Sequence, residues 1–414
     1  KEGREGPSIV VCPKSLIFNW LREIKKFTPH LQGASYTGPK RSALLEKLDE
    51  YDIILTTYGT LRRDIDKLVK ENFLYAILDE GQAIKNPESQ SAKSAFLLQA
   101  ERRVILSGTP VENHLGELWS LYHFLNPGML GSAESFKSRF GSGIDADSIS
   151  LKRLQKTLRP FILRRRKEEV ATDLPEKIEE TITCEMEPEQ KKVYNKIKRA
   201  AKTNIFSKVA QQGMGRSKLH ILEALLRLRQ AACHPALIGD EYLDHNSGKF
   251  KVLLSMLNEV EDEGHKVLIF SQFTSLLALL RKQLDEQGKV YEYLDGKTTN
   301  REGRVDHFQN DPNVKFFLIS LKAGGVGLNL TAADYVFILD PWWNPAVEAQ
   351  AIDRAHRIGQ DKKVFAYRFV SGESIEERIA DLQESKRKLA DSIVTGSDSL
   401  VGDMTTDDLE YLFK

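Results

Sequence analysis

The sequence contains little cysteine and no long hydrophobic run. Only three cysteines occur among 414 residues, far apart at Cys12, Cys184 and Cys233. They form no CxxC pair, so a disulfide-rich secreted class is excluded and a reducing compartment is expected. No apolar run reaches the ~18 residues of a membrane span, and no signal peptide is recognisable. We therefore predict no membrane partner.

An excess of charge of one sign is also missing. The 60 basic and 59 acidic residues give a net charge of +1, which neither supports nor excludes nucleic acid, since only a local basic surface would matter. A chain of this length is expected to form two or three domains. Cys233 and His234 are adjacent but lack a second ligand pair, so packing is favoured over a zinc site.

A complete phosphate-binding glycine loop is missing from these 414 residues. Gly296, Lys297 and Thr298 match the end of the motif GxxxxGK[ST], but Tyr291 stands where the first glycine belongs. The strand-like segment "VYEYLD" runs directly up to Gly296, which leaves no room for N–H groups to wrap a phosphate. The segment "NSGKF" has Phe250 in place of the hydroxyl residue, and "KAGGVGLNL" lacks the GxGxxG spacing of a dinucleotide site.

Continuous apolar runs that alternate with helical patterns are present in two parts of the chain. The runs "SIVVCP", "YDIILTTY", "LYAILDE" and "RRVILSGTP" come first, and "HKVLIFSQF", "VYEYLDG", "VKFFLIS", "YVFILDP" and "KVFAYRFV" follow later. Such runs are typical of parallel strands that are covered on both faces. Between about residues 113 and 235 helical patterns dominate. We predict an α/β fold with two parallel-sheet units and a helical middle.

A pair of carboxylates ends the third apolar run. Asp79 and Glu80 would lie at the carboxyl end of a strand, where parallel sheets place their sites. Asp79 could hold Mg²⁺ through water, and Glu80 could orient or deprotonate a water that attacks a phosphoryl group. A solvated turn is the alternative for such a pair on its own.

A basic segment in the second half could complement these carboxylates. In "EAQAIDRAHRIGQ", spacings of four and three predict that Gln350, Arg354 and Arg357 share one helical face. Two arginines one turn apart could clamp a γ-phosphate and stabilise charge in the transition state. An exposed basic face is the alternative.

Taken in order, these segments resemble the motif series of superfamily 2 helicase-like ATPases, and more narrowly that of the Swi/Snf-type DNA translocases. The resemblance rests on "PSIVVCPKSLIFNW", "ILTTYGTL", "ILDEGQAIKN", "ILSGTPVEN", "VLIFSQF", "YLDGKT", "LISLKAGGVGLNLTAADYVFILDPWWNP" and "QAIDRAHRIGQ". The short segments between motifs favour a bacterial member. The implied location is the nucleoid-associated cytoplasm in a bacterium and the nucleus in a eukaryote.

The resemblance implies two RecA-like parallel-sheet lobes with helical insertions. Lobe 1 would cover residues 1–165, with an insertion at about 113–158. Lobe 2 would cover 166–370, with an insertion at about 176–240, and a helical extension would follow over 371–414.

The resemblance also implies that ATP is hydrolysed with Mg²⁺ in a cleft between the lobes. Asp79 would be the metal carboxylate and Glu80 the water-activating one, while Arg354 and Arg357 would act as arginine fingers. The implied nucleotide contacts are Gln82, Ser107, Gly108, Thr109, Gly327, Asn329 and Gln350. Double-stranded DNA is the implied partner, with a DNA-bound protein as a second candidate. The phosphates of the DNA would contact Lys14, Ser15, Thr57, Tyr58, Gln272 and Lys322.

The family's first motifs, an adenine-contacting glutamine and the glycine-rich loop with its lysine, should precede "SIVVCP" and are absent. We therefore expect the 414 residues alone to bind ATP poorly and to turn over little, because that loop binds the β/γ-phosphates. Two alternatives are a non-catalytic DNA- or protein-binding module and a strand-separating helicase. The joint retention of Asp79, Glu80, Arg354 and Arg357 disfavours the module. The helical middle, which resembles the duplex-tracking branch, disfavours the helicase.

Overall fold

The structure is a computed structural model that describes most of the chain. The described residues are 6–39, 41–108, 115–140, 153–154, 156–163, 165, 171, 173–324, 328–342, 345–381 and 411–413, and only the backbone is described at 115, 210, 212, 214, 215, 218, 322, 324, 345 and 346. The chain forms two compact units, Lys1–Val170 and Ala171–Lys414. The predicted division at residue 165 lies a few residues before this boundary.

Parallel strands form the sheet of the first unit. Within its described residues the order across the sheet is β2-β3-β1-β4-β5. The strands are β1 (Ser8–Cys12), β2 (Gly33–Ser35), β3 (Ile53–Thr57), β4 (Asn72–Asp79) and β5 (Gln99–Leu106). Four of them are the predicted apolar runs, and the short edge strand β2 was not predicted.

Helices connect the strands of this sheet, and further helices follow its last strand in the sequence. They are α1 (Ile17–Phe27), α2 (Ser42–Leu45), α3 (Tyr58–Leu68), α4 (Gln90–Leu97), α5 (Leu115–Leu125) and α6 (Ala133–Phe140). Ile9 and Val11 of β1 are fully buried in the main core of the unit, together with Ile54 and Leu61. Val10 of β1 packs with Ile24 of α1 in a second cluster, so both faces of β1 are covered.

The second unit has its own parallel sheet. In the described residues its order is β6-β11-β10-β7-β9-β8. The strands are β6 (Lys177–Cys184), β7 (Val267–Ser271), β8 (Tyr291–Leu294), β9 (Phe316–Ser320), β10 (Tyr335–Ile338) and β11 (Val364–Ser371). Every residue of β7 and β9 is buried, as continuous apolar runs predict for inner parallel strands. The predicted α/β class with two parallel sheets is confirmed.

Strand β6 corrects the predicted helical insertion over about 176–240. Its eight residues, "KIEETITC", are a strand and not part of a helical insertion. Within the described part of the chain the strand lies at the sheet edge and pairs with β11 alone, so most of its side chains stay at least partly exposed and its apolar signal is weak. An edge strand of this composition resembles a polar linker in the sequence.

The helical part of the second unit is dominated by one long element. The helices are α7 (Pro188–Cys233), α8 (Gly248–Asp262), α9 (Thr274–Glu286), α10 (Arg301–Asn310), α11 (Leu321–Gly324) and α12 (Pro345–Ile352). α7 is broken at Gly213, where φ is +76°. Ile221, Leu225 and Leu228 of α7 are buried, whereas Leu219, Leu222 and Leu226 are exposed, so this stretch of α7 packs in the core along one face.

A buried ion pair ties α8 to the end of the described chain. The Lys249 ammonium group donates to Glu376 Oε2 at 2.7 Å, and both side chains have no exposed surface. Residues 375–381 and 411–413 are helical, and Ile379 and Leu412 pack in the same cluster as α7. The rest of the predicted terminal helix, residues 382–410, lies outside the described residues.

Among the described residues, no helix combines the length and the apolar character needed to span a lipid bilayer.

Candidate functional site

The carboxylate pair lies at a sharp turn at the end of β4. Asp79 is the last residue of β4, and Glu80 follows with a left-handed backbone, φ +53° and ψ +55°. That conformation is strained for a residue with a side chain and persists only where the surroundings enforce it. Gly81 then begins a 3-10 turn, and a Cβ atom there would lie 2.2 Å from Ile105 Cγ2 on β5. The close approach to β5 therefore explains the glycine at position 81, while the strain at Glu80 has to be offset by its surroundings.

Three hydrogen bonds fix Asp79. The indole N–H of Trp20 donates to Oδ2 at 2.8 Å, and the backbone N–H of Glu80 donates to Oδ1 at 2.9 Å. The Tyr58 hydroxyl donates to the backbone carbonyl of Asp79 at 2.8 Å. Burial, and then the charge of Asp79, raises the pKa of Tyr58 well above its usual range and that of Cys12 to about 12. Both groups therefore remain neutral beside the carboxylate.

A second set of hydrogen bonds joins β4 to the end of β5. The Gln82 amide donates to Glu80 Oε2 at 2.6 Å, and the Ser107 hydroxyl donates to Gln82 Oε1 at 3.1 Å. Gln82 thus links the two strand ends within the first unit. Gly108 follows at a bend, while Thr109 lies outside the described residues.

The carboxylates suit a hydrated divalent cation. Each oxygen of Asp79 accepts one of the hydrogen bonds above, which leaves a lone pair on each oxygen for a ligand. Mg²⁺ is usually held by one or two carboxylates and completes its shell with water and phosphate oxygens. Among the described residues no group of three or more histidine, cysteine, aspartate or glutamate side chains could form a full protein cage.

The candidate DNA-binding residues of the first unit follow the carboxyl ends of strands in the same sheet as Asp79. Lys14 is exposed and Ser15 is buried in the 3-10 turn that follows β1. Thr57 caps α3, since its hydroxyl oxygen accepts the Thr60 N–H at 3.1 Å. Because β1 lies between β3 and β4 and all three strands are parallel, these turns and Asp79 all lie at the carboxyl ends of neighbouring strands. The Tyr58 hydroxyl is used inside the unit, so any phosphate contact there would involve the backbone.

The arginine segment of the second unit differs from its prediction. α12 ends at Ile352, and Arg354 and Arg357 lie in turns beyond it. The prediction that Gln350, Arg354 and Arg357 share one helical face is therefore wrong. Arg354 is 8% exposed and Arg357 is half-buried, so neither belongs to a freely solvated basic face.

Tertiary hydrogen bonds explain why the helix ends there. The carbonyl of Arg354 accepts the Leu330 N–H at 3.0 Å. The Gln360 side chain donates to the carbonyls of Ala333 at 2.8 Å and Ala355 at 3.1 Å. Gly359 has a φ of +101°, which favours glycine. Partners outside the segment thus compete with the helical pattern.

The remaining candidates of the second unit follow other strands. Gln272 comes directly after β7, and its backbone N–H donates to Asp340 Oδ2 at 3.1 Å. Asp340 is fully buried, which raises its pKa to about 6 although Arg229 lies nearby and lowers it. Gln350 is half-buried in α12, and Asn329 is exposed. Lys322 lies in α11 after β9 with only its backbone described, and Gly327 lies outside the described residues.

The segment that imitates a phosphate loop is a closed turn. Asp295 Oδ1 accepts the backbone N–H groups of Lys297 at 2.9 Å and Thr298 at 3.0 Å, and also the Thr298 hydroxyl. A carboxylate of the chain therefore occupies the N–H groups that would have to face a phosphate. This geometry supports the interpretation of "GKTT" as a false match.

Cys233 and His234 have packing roles. Cys233 is fully buried and its thiol donates to Glu376 Oε1 at 3.2 Å. His234 Nδ1 accepts the Ala236 N–H at 3.1 Å, and burial, together with His245, lowers the pKa of His234 to about 4. The preference for packing over zinc agrees with these contacts.

Sequence reasoning missed Trp20 as a neighbour of the carboxylates. The residue lies early in α1 and stands 59 positions from Asp79. The available signal was a tryptophan soon after the turn that follows β1, in "PKSLIFNW". A buried indole N–H needs an acceptor, but the sequence does not show which one.

Comparisons with known proteins match two sequence profiles to most of the chain. The sequence profile of the SNF2-related domain matches residues 1–237, and that of the helicase conserved C-terminal domain matches residues 248–359.

The chain belongs to the SNF2-related family.

Its two parallel-sheet units are the RecA-like α/β lobes of this helicase-like ATPase family. The provisionally named ATP-dependent helicase/translocase YwqA of Bacillus subtilis is 37% identical over 98% of the chain and 45% of its own length. The TATA-binding protein-associated factor mot1 of Schizosaccharomyces pombe is 34% identical over 98% of the chain and 24% of its own length. The ISWI chromatin-remodeling complex ATPase ISW1 of Saccharomyces cerevisiae is 36% identical over 94% of the chain and 36% of its own length.

A solved structure was also matched, the Sulfolobus solfataricus SWI2/SNF2 ATPase core in complex with double-stranded DNA. It is 38% identical, with 99% of this chain and 87% of that chain covered and a TM-score of 0.49. The chain spans between about a quarter and under a half of the length of the curated SNF2 relatives named above.

Proposed function

We propose that this SNF2-family protein is a motor that hydrolyses ATP and moves along double-stranded DNA. The observation that carries the proposal lies at the carboxyl ends of the strands of the first sheet. There, hydrogen bonds connect Asp79, Glu80, Gln82 and Ser107, which lie beside the turns that hold Lys14 and Thr57. The names of two relatives support it, since one is a helicase/translocase and another a chromatin-remodeling ATPase.

In this proposal the two carboxylates have different roles in phosphoryl transfer. Bound Mg²⁺ would supply positive charge that neutralises the phosphate oxygens. Asp79 would hold the metal, with Oδ1 and Oδ2 oriented by Glu80 N–H and Trp20. Glu80 orients the attacking water and accepts its proton. Gln82 and Ser107 keep Glu80 in place and sense the γ-phosphate.

Residues of the second unit also have roles in this proposal. We assign Arg354 and Arg357 to the charge that develops in the transition state. Gln350, Asn329 and Gly327 are assigned to nucleotide contacts, as are Gly108 and Thr109 of the first unit. The turns that hold Arg354 and Arg357 fix their backbone and limit the entropy lost when a phosphate binds.

Double-stranded DNA is the proposed track, with a DNA-bound protein as a possible object of the movement. Lys14, Ser15, Thr57 and Tyr58 follow strands of the first sheet, and Gln272 and Lys322 follow strands of the second. Backbone N–H and hydroxyl groups at strand ends suit phosphates, which carry no sequence information. A motor that moves over any sequence needs contacts of this kind.

The test is ATP turnover by the full-length protein with and without duplex DNA, followed by displacement of a third strand from a triplex. The motor predicts that DNA stimulates turnover and that the third strand is released only with ATP. A protein without DNA stimulation would contradict the motor and leave the binding module. Efficient unwinding of a forked duplex would favour the strand-separating helicase.

A separate expectation applies to residues 1–414 when they are produced as an isolated polypeptide. No glycine-rich loop with its lysine occurs among them, so we expect weak ATP binding and little turnover from that polypeptide. Equilibrium binding of a fluorescent ATP analogue checks this. Tight binding and robust turnover would show that other residues replace the loop.

A further inference from the structure

Two candidate DNA-contacting turns in the first unit each lead to a side chain that bonds to Asp79. The 3-10 turn of Lys14 and Ser15 continues without interruption into α1, which carries Trp20. Thr57 caps α3, whose first residue is Tyr58. Trp20 and Tyr58 therefore connect two separate turns to one carboxylate residue.

The bonds from these side chains restrain Asp79 at different atoms. Trp20 Nε1–H donates to the carboxylate at Oδ2 over 2.8 Å, and the Tyr58 hydroxyl donates to the backbone carbonyl over 2.8 Å. Together they fix the side-chain rotamer and the peptide plane at the end of β4. Asp79 pairs with Leu106 on one side, whereas the pairing of β4 with β1 ends at Leu78. The two donors thus act where the ladder to β1 has stopped.

A purely structural role is the ordinary explanation of a buried indole N–H. Trp119 illustrates that role, because its N–H donates to the backbone carbonyl of Gly131 at 3.1 Å. Trp20 differs, since its acceptor is a carboxylate oxygen of the residue assigned to the metal. A donor to a metal-binding carboxylate sets the direction of its lone pairs and its basicity.

We propose that Trp20 and Tyr58 are positioning residues that transmit DNA binding to the ATP site by orienting Asp79. This inference rests on the proposed function. A phosphate bound at the turn of Lys14 and Ser15 fixes the start of α1, and a phosphate bound at the start of α3 fixes Tyr58. Both events narrow the range of orientations of Asp79, so that Mg²⁺–ATP binds in the reactive geometry more often. DNA then raises kcat without a direct contact to the nucleotide.

The experiment compares five forms of the full-length protein: the wild type, Trp20→Phe, Tyr58→Phe, the double variant of these two and the control Trp119→Phe. Each substitution removes one hydrogen-bond donor and keeps an aromatic ring. We measure kcat and KM for ATP on saturating duplex DNA, the Mg²⁺ concentration at half-maximal rate, the dissociation constant for DNA and the melting temperature. The Mg²⁺ dependence is the measurement that a merely structural role would not change.

We expect Trp20→Phe to lower the DNA-stimulated kcat by about 10- to 100-fold, the range found when partners of metal ligands are removed. The half-maximal Mg²⁺ concentration rises, while the affinity for DNA stays close to that of the wild type. Tyr58→Phe changes both quantities in the same direction by a smaller factor. The double variant loses less than the product of the two single losses, because both residues act through Asp79. Trp119→Phe matches the wild type in kcat and Mg²⁺ dependence.

The outcomes separate this inference from the proposed function. A wild type that DNA does not stimulate overturns both. A stimulated wild type with Trp20→Phe equal to Trp119→Phe overturns the positioning role and leaves the motor intact. If Trp20→Phe melts below the assay temperature, Tyr58→Phe decides, since it removes a single oxygen atom. An unchanged kcat and Mg²⁺ dependence in Tyr58→Phe then overturn the proposal.

Discussion

The turn that holds Asp79 and Glu80 in the first unit and the segment that holds Arg354 and Arg357 in the second unit are kept in place by different kinds of contact. Glu80 N–H donates to Asp79 and Gln82 donates to Glu80 within one turn, while Trp20 and Tyr58 bond to Asp79 from other elements. Arg354 and Arg357 lie in turns that Leu330 and Gln360 hold through more distant partners. Residues that are adjacent in one turn can be recognised in a short motif even when distant residues also bond to them, whereas a segment whose backbone depends on distant contacts can be misread even when its residues are correctly chosen.

The largest expected effect concerns the arginine segment. Arg357→Ala in the full-length protein should lower kcat on duplex DNA roughly a thousandfold, as loss of an arginine finger does. ATP affinity should change far less, because the charge that Arg357 stabilises develops only in the transition state. Steady-state turnover and ATP binding measure the two quantities.

Arg281→Ala is the matched control for that experiment, since its guanidinium lies 4.5 Å from the centre of the Tyr293 ring and serves packing. Unchanged turnover in Arg357→Ala would show that this arginine takes no part in the reaction. Asp79 and Glu80 would then lack the positive charge that is proposed to complement them.

Buried charge offers a second contrast between the units. Lys249→Met should lower the free energy of unfolding of the second unit by about 3–5 kcal/mol, because Glu376 would keep an unpaired charge in the core. Adding Glu376→Leu should recover much of that loss. Denaturant unfolding checks both variants.

The control in the first unit is Arg41→Met. Arg41 forms a two-pronged ion pair with Asp64 but keeps about a fifth of its side chain exposed. We expect a smaller loss than for Lys249→Met. Equal losses would show that the two units do not differ in this respect.

Gly81 and Gly296 contrast the true turn with the false phosphate loop. Gly81→Ala should destabilise the first unit by about 1–3 kcal/mol, because the new Cβ would lie 2.2 Å from Ile105 Cγ2. Gly296→Ala should be close to neutral, since nothing lies within 4 Å of its Cβ position. Thermal unfolding of the two variants measures the difference, and a neutral Gly81→Ala would contradict the described packing of β4 against β5.

The smallest effect is a pH dependence in the second unit. Burial, and then His245, lowers the pKa of His234 to about 4 in the folded protein, below the usual value of about 6.5. The folded state thus binds fewer protons, so its stability is fully present above about pH 6.5 and falls as the pH drops toward 4. The slope is at most about 1.4 kcal/mol per pH unit.

His234→Asn is the reference for this pH dependence, because asparagine offers an acceptor for the Ala236 N–H and does not titrate. Chemical denaturation at several pH values should show the wild type losing stability relative to the variant in acid. Parallel curves would show that His234 is not held neutral.

The sequence predicts the sheets better than it predicts their edges. The inner strands β1, β7 and β9 are continuous apolar runs, and burial on both faces explains why they could be recognised. β6 was missed because its exposed polar residues belong to an edge strand. The short strand β2 carries only "GAS" and has no pattern to detect.

At the candidate site, local geometry was predictable and tertiary geometry was not. The Asp79–Glu80 pair was placed at a strand end from composition alone, where the structure has it. The end of α12 before Arg354 depends on Leu330 and Gln360, which no helical period encodes. The indole of Trp20 reaches Asp79 only because β1 and β4 are neighbours in the sheet, and a strand order cannot be read from a single motif.

The most direct test of the central claim is ATP turnover by the full-length protein on saturating duplex DNA, compared between the wild type and Glu80→Gln. The variant keeps an oxygen that can accept the Gln82 amide and loses the group that takes up a proton. We predict strong DNA stimulation in the wild type, and ATP binding with almost no hydrolysis in the variant. Full DNA-stimulated turnover in Glu80→Gln, or a wild type indifferent to DNA, would contradict the proposed motor.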